Sequence, residues 1–96
     1  MITTKERAML KNLAQNIKPA LNVGKESIGE NTINEIENYL NKNEIMKIKI
    51  LQNSSYSSKQ LMEEICEKVG CDPVLVIGKV IVIYKKSNDK KAKHIL

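Results

Sequence analysis

Residues 73–84 read PVLVIGKVIVIY. Two apolar runs rich in β-branched residues, Pro73–Ile77 and Val80–Tyr84, flank the dipeptide Gly78-Lys79. Such residues suit a pleated, buried surface. A glycine at the first of two loop positions fits a type II′ hairpin. A two-residue loop can join only antiparallel strands. Both faces of the hairpin are apolar, so either helices cover both sides or one side meets a partner.

Working back from the hairpin, Gly70 suits the end of a helix. Ser57-x-x-Gln60 is a capping-box pattern that would start it. Leu61, Ile65 and Val69 fall on its inner face, and Glu63, Glu64 and Glu67 on its outer face. Before a polar loop at 53–58, Glu44–Leu51 alternates as a strand, with Met46, Ile48 and Ile50 on one side and Lys47 and Lys49 on the other. An earlier helix turns Ile33, Ile36 and Leu40 inward. A short strand, Ala20–Val23, runs into Gly24-Lys25-Glu26-Ser27. At the N-terminus, Thr3-x-x-Glu6 is a second capping box, predicting a helix from about Thr4. Leu10, Leu13, Ala14 and Ile17 form its apolar stripe, and Pro19 ends it. On that helix Arg7, Lys11 and Lys18 fall within about 40° of one another, a basic stripe beside the buried one.

The order is therefore α-β-α-β-α-β-β. A strand–helix–strand unit favours a parallel pair, while the closing hairpin is antiparallel. The expected class is α+β, with a mixed four-stranded sheet and helices packed on it. One domain is expected over residues 1–86, followed by a basic tail at 87–96.

The chain has 96 residues, with 16 Lys+Arg against 11 Asp+Glu, a net charge of +5. That size implies one domain. Residues 1–25 hold five basic groups against Glu6, residues 26–84 six against nine acidic groups, and residues 85–96 five against Asp89. The local balances are +4, −3 and +4. Positive charge gathered at both ends of a chain points to an anionic partner. No apolar run approaches the ~20 residues that span a bilayer, and MITTKERAML lacks a signal-peptide core. A cytoplasmic location with no membrane partner is expected.

Catalytic and metal chemistry are hard to assemble. His94 is the single histidine, and Cys66 and Cys71 are spaced C-x4-C. Zinc sites need four ligands, usually at tighter spacing. Neither a P-loop nor a dinucleotide fingerprint is present. No enzyme activity, metal, cofactor or small-molecule substrate is expected, and the two cysteines read as reduced thiols, Cys66 at the core boundary. Gly24-Lys25 is more promising. It leaves a strand and leads towards a helix N-terminus, where unpaired N–H groups suit phosphate; a plain β–α turn reads the same way.

Four segments together carry a resemblance: KERAMLKNLA (5–14), KPALNVGKESIGENTINEI (18–36), EIMKIKILQN (44–53) and EKVGCDPVLVIGKVIVIY (67–84). In their order and spacing they resemble the CRM domain family, and within it the small bacterial YhbY-type proteins. The resemblance implies a fold similar to the C-terminal domain of translation initiation factor 3. It implies RNA binding, and association with precursors of the large ribosomal subunit. The family's G-x-x-G loop, likened to the backbone clamp of KH domains, matches at Gly24 and Lys25. Ser27 stands where the second glycine belongs, and Ser27-x-x-Glu30 is itself a capping-box pattern. The family's G-K matches at Gly78-Lys79.

The expectation is a non-catalytic RNA-binding factor in ribosome assembly. Its candidate contacts are Arg7, Lys11, Lys18, Gly24, Lys25, Lys47, Lys49, Lys79, Lys85 and Lys86. With three tyrosines, no Trp and no Phe, base stacking has few platforms. Binding should be directed by shape and phosphate, and weakened by salt. The alternative is a protein-interaction module, docked through the apolar hairpin or the acidic third helix on a ribosomal protein or assembly enzyme.

Overall fold

A computed structural model describes residues 2–23, 29–51 and 57–87. In chain order the elements are α1 (Thr4–Ala14), β1 (Leu21–Val23), α2 (Glu30–Asn43), β2 (Ile45–Ile50), α3 (Ser58–Val69), β3 (Asp72–Ile77) and β4 (Val80–Tyr84). The four strands form one sheet in the order β1-β2-β4-β3. β1 and β2 are parallel, with Leu21 opposite Ile48, and α2 carries the crossover between them. The other pairings are antiparallel. The α+β class and the mixed sheet are as the sequence implies.

The hairpin folds as its sequence asks. Ile77 pairs with Val80 across Gly78-Lys79. Gly78 has φ +56, while Lys79 is not among the positive-φ residues. Positive φ at the first loop position alone is the II′ pattern. Helices cover both faces of β4. On one side Ile81 and Ile83 join Met46, Ile48, Ile36, Leu40, Leu61 and Ile65 under α2 and α3. On the other, Val82 and Tyr84 join Ile45, Leu10 and Ala14 under α1. A register shift between Pro73 and Leu75 lets Val74 and Leu75 both pack on the α1 side; an extra residue in a strand makes this possible.

Two of the three capping boxes read from the sequence form, at Thr3/Glu6 and at Ser57/Gln60. Gly70 ends α3 in the left-handed conformation, φ +77. Three expectations need correction. First, α1 stops at Ala14 rather than continuing towards Pro19. The N–H groups of Gln15, Asn16 and Ile17 fold back three residues, to Asn12, Leu13 and Ala14, the tighter bonding of a frayed last turn. Lys18 therefore lies beyond the helix, and the basic stripe reduces to Arg7 and Lys11. Second, Leu13 is 41% exposed. Leu10 and Ala14, four residues apart, make the contact line, and Leu13 falls about 60° to one side of Leu10. Third, α2 begins at Glu30 with Gly29 as its N-cap and no side-chain cap. Glu30 is thus the first helical residue, not the third of a box begun at Ser27.

Two buried polar residues fix the far end of α2. Glu44, 1% exposed, ends the helix with φ +64, and its backbone N–H donates to the Leu40 carbonyl. Its carboxylate accepts the backbone N–H of Ser87 at 2.7 Å, and the Ser87 hydroxyl donates to the Asn41 carbonyl. These bonds anchor the chain at Ser87; residues from 88 onward lie outside the described residues.

Candidate nucleic-acid interface

The register places several backbone ends at one edge of the sheet. Val23, the last residue of β1, pairs with Ile50, the last of β2. Val80, the first residue of β4, pairs with Lys49. The exit of β1, the exit of β2 and the β3–β4 hairpin tip therefore share one end. The N-termini of α2 and α3 follow from those exits. The tip is pinned on two sides. The Ile50 N–H donates to the Lys79 carbonyl at 2.6 Å, and the buried Ser58 hydroxyl donates to the Gly78 carbonyl at 2.6 Å. The backbone of Lys79 is held while its side chain is exposed. Lys49, exposed on β2, lies beside it. The N-cap of α2 is Gly29, and among the described residues no side chain caps the first turn, so its N–H groups and partial positive charge are presented at this end. α3 caps itself: Ser57 Oγ accepts from the Gln60 N–H at 3.2 Å. Glu30, exposed at the start of α2, opposes the positive charge there.

Among the ten sequence-chosen residues, the eight that are described do not form one cluster. Gly24 and Lys25 lie outside the described residues. Lys18 is exposed in the connection after α1. Arg7 and Lys11 line an open groove along edge strand β3, with Met62, Pro73, Val74, Leu75 and Val76. Arg7 Nε is buried there without a hydrogen-bond partner among the described residues. Lys85 and Lys86 follow β4 at the opposite end, where Tyr84 pairs with Ile45.

Two of the ten have other occupations. The Lys47 ammonium donates to the carbonyls of Ala14 at 3.1 Å and Ile17 at 3.3 Å. It sits under α1 because the supposed outer face of the sheet is itself covered. Lys85 donates to the Val69 carbonyl at 2.9 Å. Each lysine satisfies carbonyls at a helix C-terminus, where backbone acceptors lack partners and positive charge is favoured. Lys49, two residues from Lys47 on the same face, stays exposed because α1 ends short of it.

Sequence reasoning also passed over Ser58, which reads as one more polar residue after a cap, and Glu44. Glu44 was read as the first residue of an alternating strand, with no local sign of its buried role. Beside the hairpin, Ala14, Leu75, Ile77, Val80 and Val82 line an apolar groove next to Lys47, and Ile77 is 64% exposed. Among the described residues, no group of three or more His, Cys, Asp or Glu side chains could hold a metal ion. No described helix is long and apolar enough to cross a membrane.

The family model described as CRS1 / YhbY (CRM) domain matches residues 2–85. The chain belongs to the CRM family. Relatives of this CRM domain match along nearly their whole length. Probable RNA-binding protein YqeI of Bacillus subtilis is 31% identical over 91 residues, 95% of each chain. An RNA-binding protein of Haemophilus influenzae is 29% identical over 90 residues, 94% of this chain and 91% of that one. The solution structure of SAV1595 from Staphylococcus aureus superposes with a TM-score of 0.79 at 38% identity, covering 99% of this CRM domain and 100% of that chain.

Proposed function

We propose that this CRM domain is a non-catalytic RNA-binding factor that associates, in the cytoplasm, with precursors of the large ribosomal subunit. The observation that carries the reading is the hairpin end of the sheet. There the exposed Lys49 and Lys79 and the start of α2, whose N-cap Gly29 has no side chain to close it, come together. Family membership and relatives described as RNA-binding proteins support it. Phosphate is the target this chemistry suits: ammonium groups and helix N–H donors position a backbone and carry no base code. Arg7, Lys11 and Lys18 extend the positive field along α1 and beyond it, and Lys86 adds to it at the far end. Lys47 and Lys85 serve by neutralising helix C-termini rather than by touching RNA. Kinship of the fold with the C-terminal domain of translation initiation factor 3 belongs to the same proposal.

The test is a lysate gradient probed for the protein, with crosslinked RNA sequenced from the fractions that hold it. Large-subunit RNA in pre-ribosomal fractions is the expected result; absence from every ribosomal fraction overturns the assembly role. One observation favours the protein-docking alternative, the apolar groove ending at exposed Ile77. Co-purification that survives RNase digestion, and is lost in Ile77→Lys, would establish that reading instead.

A further inference from the structure

Away from the basic surface, the described residues place two nucleophilic side chains in contact. Cys66 lies in the last turns of α3, and Cys71 follows Gly70. Their sulfurs are 3.3 Å apart, with the Cys71 thiol donating to Cys66 Sγ. Gly70 creates the contact. Its φ of +77 turns the chain back on the helix, and its N–H donates to the Cys66 carbonyl at 2.8 Å. The two sulfurs differ in access. Cys66 is half-buried, whereas Cys71 is 7% exposed and packed in the core beneath α3.

We propose that Cys66 and Cys71 form a reversible dithiol–disulfide site, oxidised by small-molecule disulfides. A disulfide bond is about 2.05 Å long, so the sulfurs must close by roughly 1.3 Å. The intervening loop is short and already turned. The Cys66 thiolate attacks one sulfur of the small disulfide, forming a mixed disulfide and releasing one thiolate. Cys71 then gives up its proton and attacks the Cys66 sulfur, forming the internal bond and expelling the second thiolate. Two protein thiols lose two electrons, and one small disulfide becomes two thiols. The roles are distinct. The hydrogen bond from Cys71 holds the Cys66 thiol below the ordinary cysteine range, so the accessible sulfur is the attacking one. The same hydrogen bond, with burial, pushes the Cys71 thiol up, so it waits as the resolving group. The proposal stands independently of RNA binding.

The experiment uses the full 96-residue chain. The reduced protein is equilibrated with mixtures of reduced and oxidised glutathione, quenched in acid, alkylated, and read by intact mass and peptide mapping. The expected product is a monomer lighter by two hydrogens, unalkylated, with Cys66 joined to Cys71. Cys71→Ala should stop at a glutathione adduct on Cys66, and Cys66→Ser should leave Cys71 unmodified. The internal bond should form with an equilibrium constant at least about tenfold larger in the folded chain than in guanidinium. That comparison needs no variant and so stands even where one misfolds. A stable glutathione adduct on the wild type, a disulfide-linked dimer as the main product, or equal constants folded and denatured would each overturn the proposal.

Discussion

Replacing Lys49 and Lys79 together by alanine should flatten the salt dependence of RNA binding, whereas replacing Lys47 by methionine should not. All three are lysines at or beside one end of the sheet, but the fold uses them differently. Lys49 and Lys79 are exposed; the Lys47 ammonium is bound to the carbonyls of Ala14 and Ile17. Each phosphate contact contributes about 0.7–0.9 to the slope of log affinity against log salt. Losing two contacts lowers the slope by about 1.4–1.8, so raising salt fourfold narrows the gap between wild type and double variant by about ninefold. Lys47→Met should keep the wild-type slope and instead lose about 1–2 kcal/mol of stability, from two hydrogen bonds made by a charged donor. That corresponds to a melting point lower by roughly 4–16 °C in a domain this small. The assay is fluorescence anisotropy with a structured ribosomal RNA fragment over a potassium chloride series, beside thermal unfolding of each variant. The reasoning fails if the double variant keeps the full slope. It fails equally if Lys47→Met loses a charge's worth of slope while melting like the wild type.

Other outcomes follow from single contacts. Leu10→Ala removes a fully buried side chain from the core beneath α1 and should cost about 3 kcal/mol in urea unfolding. Gly70→Ala meets no atom within 4 Å of the added Cβ, so its cost is backbone strain alone at φ +77, about 1 kcal/mol. Tyr84 is held protonated above its ordinary pKa of 10.0, by burial first and then by the nearby charges of Glu44, Glu6 and Asp72. Its raised folded pKa means that above pH 10 the unfolded chain loses this proton first. The stabilisation is whole below that pH and falls as pH climbs through the folded value. Unfolding of wild type and Tyr84→Phe at pH 9 and pH 11 should show a steeper alkaline loss in the wild type.

The elements that local chemistry dictates were legible. The hairpin needed only two branched runs and a glycine. α1 and α3 announced themselves by capping boxes, and the inner faces of α2 and α3 by their spacing. What escaped depends on contacts between distant residues. The end of α1 looked like Pro19, yet Lys47, 33 residues beyond Ala14 in sequence, takes the carbonyl of Ala14, the last helical residue. The Ser27–Glu30 pattern gave way to Gly29, since a capping motif states only where a helix can begin. The Glu44–Ser87 bond joins residues 43 apart, and nothing local distinguishes that carboxylate from those on the outside of α3. Among the candidate contacts, charge and position were readable, but whether an ammonium meets solvent or a helix end was not.

The placement of Lys47 links the fold to the proposed function. α2 and α3 start at the hairpin end and present positive N-terminal charge there. α1 runs the other way, and its last residue Ala14 and C-cap Gln15 approach the same end beside Ile77 and Val80. A helix C-terminus carries partial negative charge, worth up to about 1 kcal/mol against a nearby anion at the surface. Left bare, it would oppose phosphate just where the other two helices favour it. Lys47 donates from beneath to the last carbonyl of α1, at Ala14, and to that of Ile17 in the turn that follows. It removes the negative spot without adding a ligand contact, and leaves Lys49, one pleat further on, to face solvent. In the proposed reading, the alternation of Lys47 and Lys49 with apolar residues is more than a solvated strand face: one lysine would make the end of α1 compatible with an anionic partner, and the next would meet it.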